Sequence, residues 1–246
     1  MADDLDWIRP DWPAPPNVQA LVTTRRGGVS RPPWDTLNPA THVGDDPAAV
    51  AENRRRIRAN AGLPIEPLWL EQVHGSRVAD DRVPHQGVRA DGRITREPGR
   101  VCVVMTADCL PVLLCNRQGT AVATLHAGWR GLAAGILEAG VAAFGQPPGE
   151  LIAWLGPRIG AAAYEVGDEV RAAFAGDNDE YAAHFRASGG GRWRMDLAGL
   201  AGQRLRDVGI PQVYDSGLCT FEDRTRFFSH RRDGVCGRMA ALIWRS

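Results

Sequence analysis

Residues 101–126 hold three apolar runs in quick succession: VCVVM, PVLLCN and TAVATLH. Each is too short for a core helix and too continuously apolar for a strand with one wet face. The pattern predicts adjacent strands in the middle of a sheet. Beyond them the period changes. Leu132 to Phe144 carries helical spacing, so His126 falls where a strand stops and the chain turns toward a helix through Gly128, Trp129, Arg130 and Gly131.

Other elements flank this centre. VQALVTT reads as a first strand and RRGGVS as the turn leaving it. DDPAAVAENRRRIRANAG has Asp and Pro at a helix start, Gly at its end, and Ala49, Val50, Ile57 and Ala61 on one face. LWLEQVHG reads as a short strand ending in His74. After the central strands come strand LIAWLGP, a helix over EVGDEVRAAF, and a looser segment to Gly191. Asp196 is placed to cap helix LAGLAGQRLRDVG, and PQVYDSG, TRFFSHR and RMAALIW read as closing strands. Without repeats or a linker-like break, residues 17–246 read as a single mixed α/β domain behind an N-terminal arm, 1–16.

Composition narrows the function. The 29 basic residues balance 29 acidic ones, which argues against a protein built to neutralise nucleic-acid phosphates. All 29 are Arg, so Schiff-base lysine chemistry and a P-loop are excluded. A bound anion must be held by Arg, His, backbone amides or a metal. The acidic, Pro-rich start lacks the order of a signal peptide, and no apolar window is long enough for a membrane span. Five Cys without a CxxC pair suggest reduced thiols. A cytoplasmic monomer is the expectation.

Three strand-like segments end in, or turn at, good metal ligands: His74, Cys109 and His126. Two imidazoles and a thiolate suit Zn²⁺ in a site with one position left open; its net charge of +1 would acidify a coordinated water. The spacings of 35 and 17 residues match no short zinc signature, so two structural His and a buried Cys remain the alternative, as does His126 acting as a general base. Around them, Arg130 could hold a phosphate or carboxylate. Arg25 and Arg26 could form a second anion loop, although an ordinary hairpin turn explains them too. His230, Arg231, Arg232 and Asp233 read equally well as a salt-bridged turn. Asp108 and Gln72 are candidates to orient ligands or handle a proton.

In order along the chain, TTRRGGVS, LN at 37–38, HVGDDPAAVAENR, EQVHG, TADCLPVLL, HAGWRG, YEVGDEV, SGLCT and FFSHRRDGVCGRMAALIW resemble the polyphenol oxidase (laccase-domain) family. Its members are also called purine nucleoside phosphorylases or peptidoglycan editing factors. The resemblance spans about residues 18–244. It implies layered mixed sheets flanked by helices, and one zinc on His74, Cys109 and His126, with copper as the other metal to consider. Phosphorolysis of adenosine, inosine and methylthioadenosine is implied, with adenosine deamination as a second reaction. On that reading Cys109, His126 and Asp108 are catalytic, Arg25, Arg26, Asn38, Gln72 and Arg130 bind nucleoside or phosphate, and neither nucleic acid nor membrane is a partner. A bacterial branch is linked instead to editing wrongly incorporated amino acids in cell-wall precursors, which would suit Cys109 as the nucleophile of an amide hydrolase. True multicopper oxidation needs more ligands than the six His here supply. The chain departs from the family pattern at Ala161–Ala163 and in RPPWDTLNPATH.

Overall fold

A computed structural model describes residues 5–83, 85–176 and 179–246; residues 1–4 of the expected arm lie outside the described residues. In chain order the elements are β1 (Val18–Val22), α1 (Pro47–Asn60), β2 (Leu70–Glu71), β3 (Val78–Ala79), β4 (Val88–Arg89), β5 (Gly92–Thr95), β6 (Val101–Thr106), β7 (Leu110–Asn116) and β8 (Val122–Ala127). Then come α2 (Trp129–Ala133), α3 (Ile136–Ala143), β9 (Leu151–Leu155), β10 (Glu165–Gly167), α4 (Asp168–Ala175), α5 (Asp179–Ala182), β11 (Phe185–Gly189) and β12 (Arg192–Met195). The chain closes with α6 (Leu197–Asp207), β13 (Gln212–Asp215), α7 (His230–Asp233) and β14 (Met239–Arg245).

The fold is a single α/β domain whose largest sheet is mixed, the smaller ones being purely antiparallel or, for β2-β4, parallel. β13-β9-β7-β8-β5-β3 form a six-stranded sheet, and β1-β14-β6 a three-stranded one. Side chains alternate faces along a strand, and here that alternation sorts them into cores. Val101, Val103 and Met105 of β6 join Ile57 of α1 and Leu242 of β14 in an outer core. Cys102 and Val104 point the other way, into a layer shared with Leu113, Cys115, Val122, Ile152 and Trp154 of the six-stranded sheet. The opposite residues of that sheet, among them Val112, Leu114, Ala123, Leu125 and Ala153, pack under α3, α4 and α6. The layer order is therefore helix, sheet, sheet, helix. Every residue of β6, β7 and β8 is buried, the physical reason for their continuous apolarity.

The structure corrects several sequence expectations. β7 and β8 are neighbours, but β6 belongs to the other sheet and pairs with β14. Burial on both faces is the same in either sheet, so composition could not separate them. The helix expected over 132–144 is two helices, because Gly135 takes φ +88° and breaks the run. Glu165–Gly167 is a strand rather than a helix start, paired with β12. The supposedly loose segment contains α5 and the β11–β12 hairpin. TRFFSHR forms no strand; Phe227 and Phe228 are fully buried in irregular backbone, and Ser229 caps α7 by accepting from Arg232 N.

The expectations for two helix starts stand. Asp46 and Asp196 cap α1 and α6 through Ala48 N and Gly199 N. The described part of the arm packs on the domain, with Ile8 and Val22 exchanging two backbone hydrogen bonds.

Candidate metal centre

His74, Cys109 and His126 arrive from three separate places. His74 follows the two-residue β2, Cys109 lies in the turn that carries the chain from β6 in one sheet to β7 in the other, and His126 is near the end of β8. Their donor atoms all lie within 4.8 Å of one another. The two imidazoles meet edge to face, with ring centroids 4.8 Å apart.

Asp91 binds this arrangement together, and sequence reasoning missed it. Wholly buried just before β5, its carboxylate accepts from the amides of Val73, His74 and Gly75 at 3.2, 2.9 and 2.7 Å, and from His126 Nδ1 at 2.9 Å. Its backbone carbonyl accepts from His126 N at 2.7 Å. One carboxylate thus fixes the backbone of one ligand and the ring of another. With Nδ1–H donating to Asp91, His126 keeps Nε2 as its free ring nitrogen, the tautomer suited to a metal ligand. An Asp before a Gly in a polar stretch reads as a turn; the only available signal was its place just ahead of a buried strand.

Among the described residues, two that are not Gly take positive φ, and both adjoin this centre: His74 at +60° and Asp108 at +93°. Such conformations persist only where surrounding bonds hold them. Asp91 does so for His74. For Asp108, Oδ1 accepts from Thr220 Oγ1 and Oδ2 from Arg231 N, each at 2.7 Å. Gly128 supplies the clearance: a Cβ there would lie 2.8 Å from Cys109 Sγ and 3.2 Å from His74 Cδ2.

The electrostatics favour a thiolate. Burial raises the pKa of Cys109, but the charge of His126 and hydrogen bonds from both imidazoles outweigh it, bringing the thiol to about 6. His126 is raised in turn: burial opposes protonation, but the Cys109 charge and the Asp91 bond prevail.

These three side chains open on a cavity of about 290 Å³, also lined by His42, Gln72, Thr106, Arg130, His230 and Arg238. His42, Gln72 and Met105 are shared with a neighbouring cavity of about 640 Å³ that runs along Arg54, Trp69 and Gln86. The smaller space is near the lower end of small-molecule sites, about 300–1,000 Å³; together the two form a longer cleft.

A family model described as multi-copper polyphenol oxidoreductase laccase matches residues 19–246. The chain belongs to that family. Among its relatives, purine nucleoside phosphorylase PA4543 of Pseudomonas aeruginosa is 52% identical over 239 residues, covering 97% of this chain and 98% of the relative. Purine nucleoside phosphorylase YfiH of Escherichia coli is 50% identical over 238 residues, covering 96% and 98%. The crystal structure of Neisseria meningitidis protein NMB0706 superposes with a TM-score of 0.93 at 46% identity, covering 98% of this chain and 99% of that one. That of YlmD from Geobacillus stearothermophilus gives 0.91 at 33% identity, covering 99% of each.

Within this laccase-family fold, the remaining candidates divide. Arg130 lines the cavity, its guanidinium 4.4 Å from the Trp129 ring. Gln72 lines it too, but its amide is tied to β6: Oε1 accepts from Met105 N at 2.7 Å and Nε2 donates to Met105 O at 2.8 Å. Asp108 faces Thr220 and α7, not the cavity. Asn38 is fully buried, donating to Ala40 O and Asp45 and accepting from Arg238 N. Arg25 pairs with Asp35 at 3.1 Å, and Arg26 donates to Thr225 O. Those two arginines line a separate shallow pocket. His230, read from the sequence as part of a salt-bridged turn, and Arg238, which drew no reading, both line this cavity.

Proposed function

We propose that the protein is a zinc-dependent purine nucleoside phosphorylase acting on adenosine, inosine and methylthioadenosine, with adenosine deamination as a second reaction. One observation carries the proposal: three donors of the N, S, N type converge within 4.8 Å on the wall of a ligand-sized cavity. The names of the relatives, about half identical over nearly the full chain, indicate the substrate class.

The residues fit zinc. Two imidazoles and a thiolate are its usual protein donors, and Asp91 provides the carboxylate partner that orients a ligating His. Copper shares the donor types, so the choice of zinc rests on this family's expected chemistry and on the six-His limit against a multicopper centre. A zinc ion on His74, Cys109 and His126 supplies Lewis acidity to a substrate atom in the cavity.

The chain's own residues do the remaining work. Asp91 keeps Nε2 of His126 free and holds the His74 backbone. Asp108 acts as a positioning residue, tying the Cys109 turn to Thr220 and to α7, which begins with His230. Gln72 pins the segment before His74 to β6. Arg130, without a bonded acceptor among the described residues, holds the phosphate.

Product analysis tests the proposal. With adenosine, adenine and ribose 1-phosphate form only when phosphate is present, and inosine forms with or without it. Unchanged adenosine in both tubes refutes nucleoside turnover.

A further inference from the structure

We infer that the phosphate co-substrate sits in a cationic pocket formed by Arg130, Arg238 and His230 beside the metal ligands. The inference rests on the phosphorylase reading and assigns the place of its second substrate.

Cys109 apart, itself a candidate zinc ligand, the ionisable side chains lining the pocket are basic. Among the described residues no Asp or Glu lines the 290 Å³ cavity, whereas two guanidiniums and two further imidazoles, His42 and His230, do. The nearby carboxylates are turned elsewhere and saturated: Asp91 by three amides and His126, Asp108 by Thr220 and Arg231 N. Neither carboxylate lines the pocket. A cavity whose walls are mainly of one sign concentrates counter-ions.

The donors also suit a tetrahedral dianion. Arg130 is exposed and bonded to no acceptor among the described residues; its ring contact is with Trp129. Arg238 directs Nη1 to the carbonyls of Cys236 and Gly237, both at 3.0 Å, which anchors the side chain and leaves Nε and Nη2 for a ligand. His230 donates from Nδ1 to Gly234 O at 2.6 Å. In the neutral ring that bond makes Nε2 an acceptor, the partner for the remaining P–OH of monohydrogen phosphate. Two forked donors and one acceptor discriminate monohydrogen phosphate from sulfate, which has no proton to give.

Binding of inorganic phosphate to the zinc-loaded protein, followed by ³¹P NMR line broadening and by calorimetry, tests this. The wild type should show one saturable site that phosphate fills better than sulfate. Arg130→Gln and Arg238→Gln should each weaken it about tenfold, a loss of about 1.4 kcal/mol, with unchanged zinc content. Arg130 bonds to no acceptor among the described residues, so its variant tests the pocket even if Arg238→Gln folds poorly. His230→Phe should remove the preference for phosphate over sulfate. Arg117→Gln, on the far loop, should bind as wild type does.

Phosphate affinity unchanged in both Arg variants overturns the inference, whether or not phosphorolysis occurs. Arginine-dependent phosphate binding in a protein that leaves nucleosides intact keeps the anion pocket and overturns the phosphorylase reading alone.

Discussion

His126 Nδ1 lies 2.9 Å from Asp91 Oδ1, and the same carboxylate accepts the backbone N–H of His74. Asp91 therefore positions two of the three candidate ligands without being one of them. Asp91→Asn replaces an acceptor of four hydrogen bonds by an amide with one carbonyl oxygen. Zinc affinity, measured by competition with a chromophoric chelator, should fall roughly 10–100-fold. Unaltered affinity would show that the ligands hold their places without it.

Gly128 gives a steric counterpart. Gly128→Ala puts a methyl 2.8 Å from Cys109 Sγ, and should lower zinc affinity roughly tenfold or more while leaving a cooperative thermal transition in the metal-free protein. Gly149→Ala, whose Cβ meets nothing within 4 Å, should leave metal binding alone. Equal zinc content in both variants would contradict the crowding argument.

Cys109 answers the rival reading, in which it is the nucleophile of an amide hydrolase. In metal-depleted protein its pKa of about 6 makes it a thiolate at neutral pH. Its alkylation by iodoacetamide should rise through about pH 6 and level off well below the pH at which a free cysteine reacts fully. Zinc should protect it. A nucleophilic Cys109 would stay reactive, and the enzyme active, with or without zinc.

Asn38 and Asn53 are joined by a buried hydrogen bond, Asn53 Nδ2 donating to Asn38 O at 2.9 Å, which predicts an effect on stability. Asn53 is buried on α1: Oδ1 accepts from Val29 N, and Nδ2 donates to Ser30 Oγ, Thr36 O and Asn38 O. Asn38→Ala or Asn53→Ala leaves buried polar groups without partners, so urea unfolding should report a loss of about 2–4 kcal/mol. A selective rise in nucleoside KM at unchanged stability would return Asn38 to the substrate.

These residues also show how far the sequence could be read. The three candidate ligands were visible because each ends or interrupts an apolar run, and the resemblance joined them. Asp91 was hidden because its work is done through backbone amides and one ring nitrogen, partners that no spacing reveals. Continuously apolar runs marked β6 and β14 as strands but could not say which sheet each joins, since both of their faces are buried. FRASGGGRWRM concealed a hairpin behind glycines and arginines, and FFSH imitated a strand because two adjacent Phe are buried in irregular backbone. His230 read as part of a salt-bridged turn and Arg238 drew no reading; only the fold brings them to the cavity that His126 lines.

If His74, Cys109 and His126 form a zinc centre on which phosphorolysis depends, the metal must govern turnover. The most direct measurement is inosine phosphorolysis, read as hypoxanthine and ribose 1-phosphate, by protein stripped of metal and then titrated with zinc. Activity should be lost on stripping and restored in proportion to zinc, reaching its plateau at about one ion per chain. Full activity in the stripped protein, or a plateau unrelated to zinc, would contradict a zinc-dependent phosphorylase.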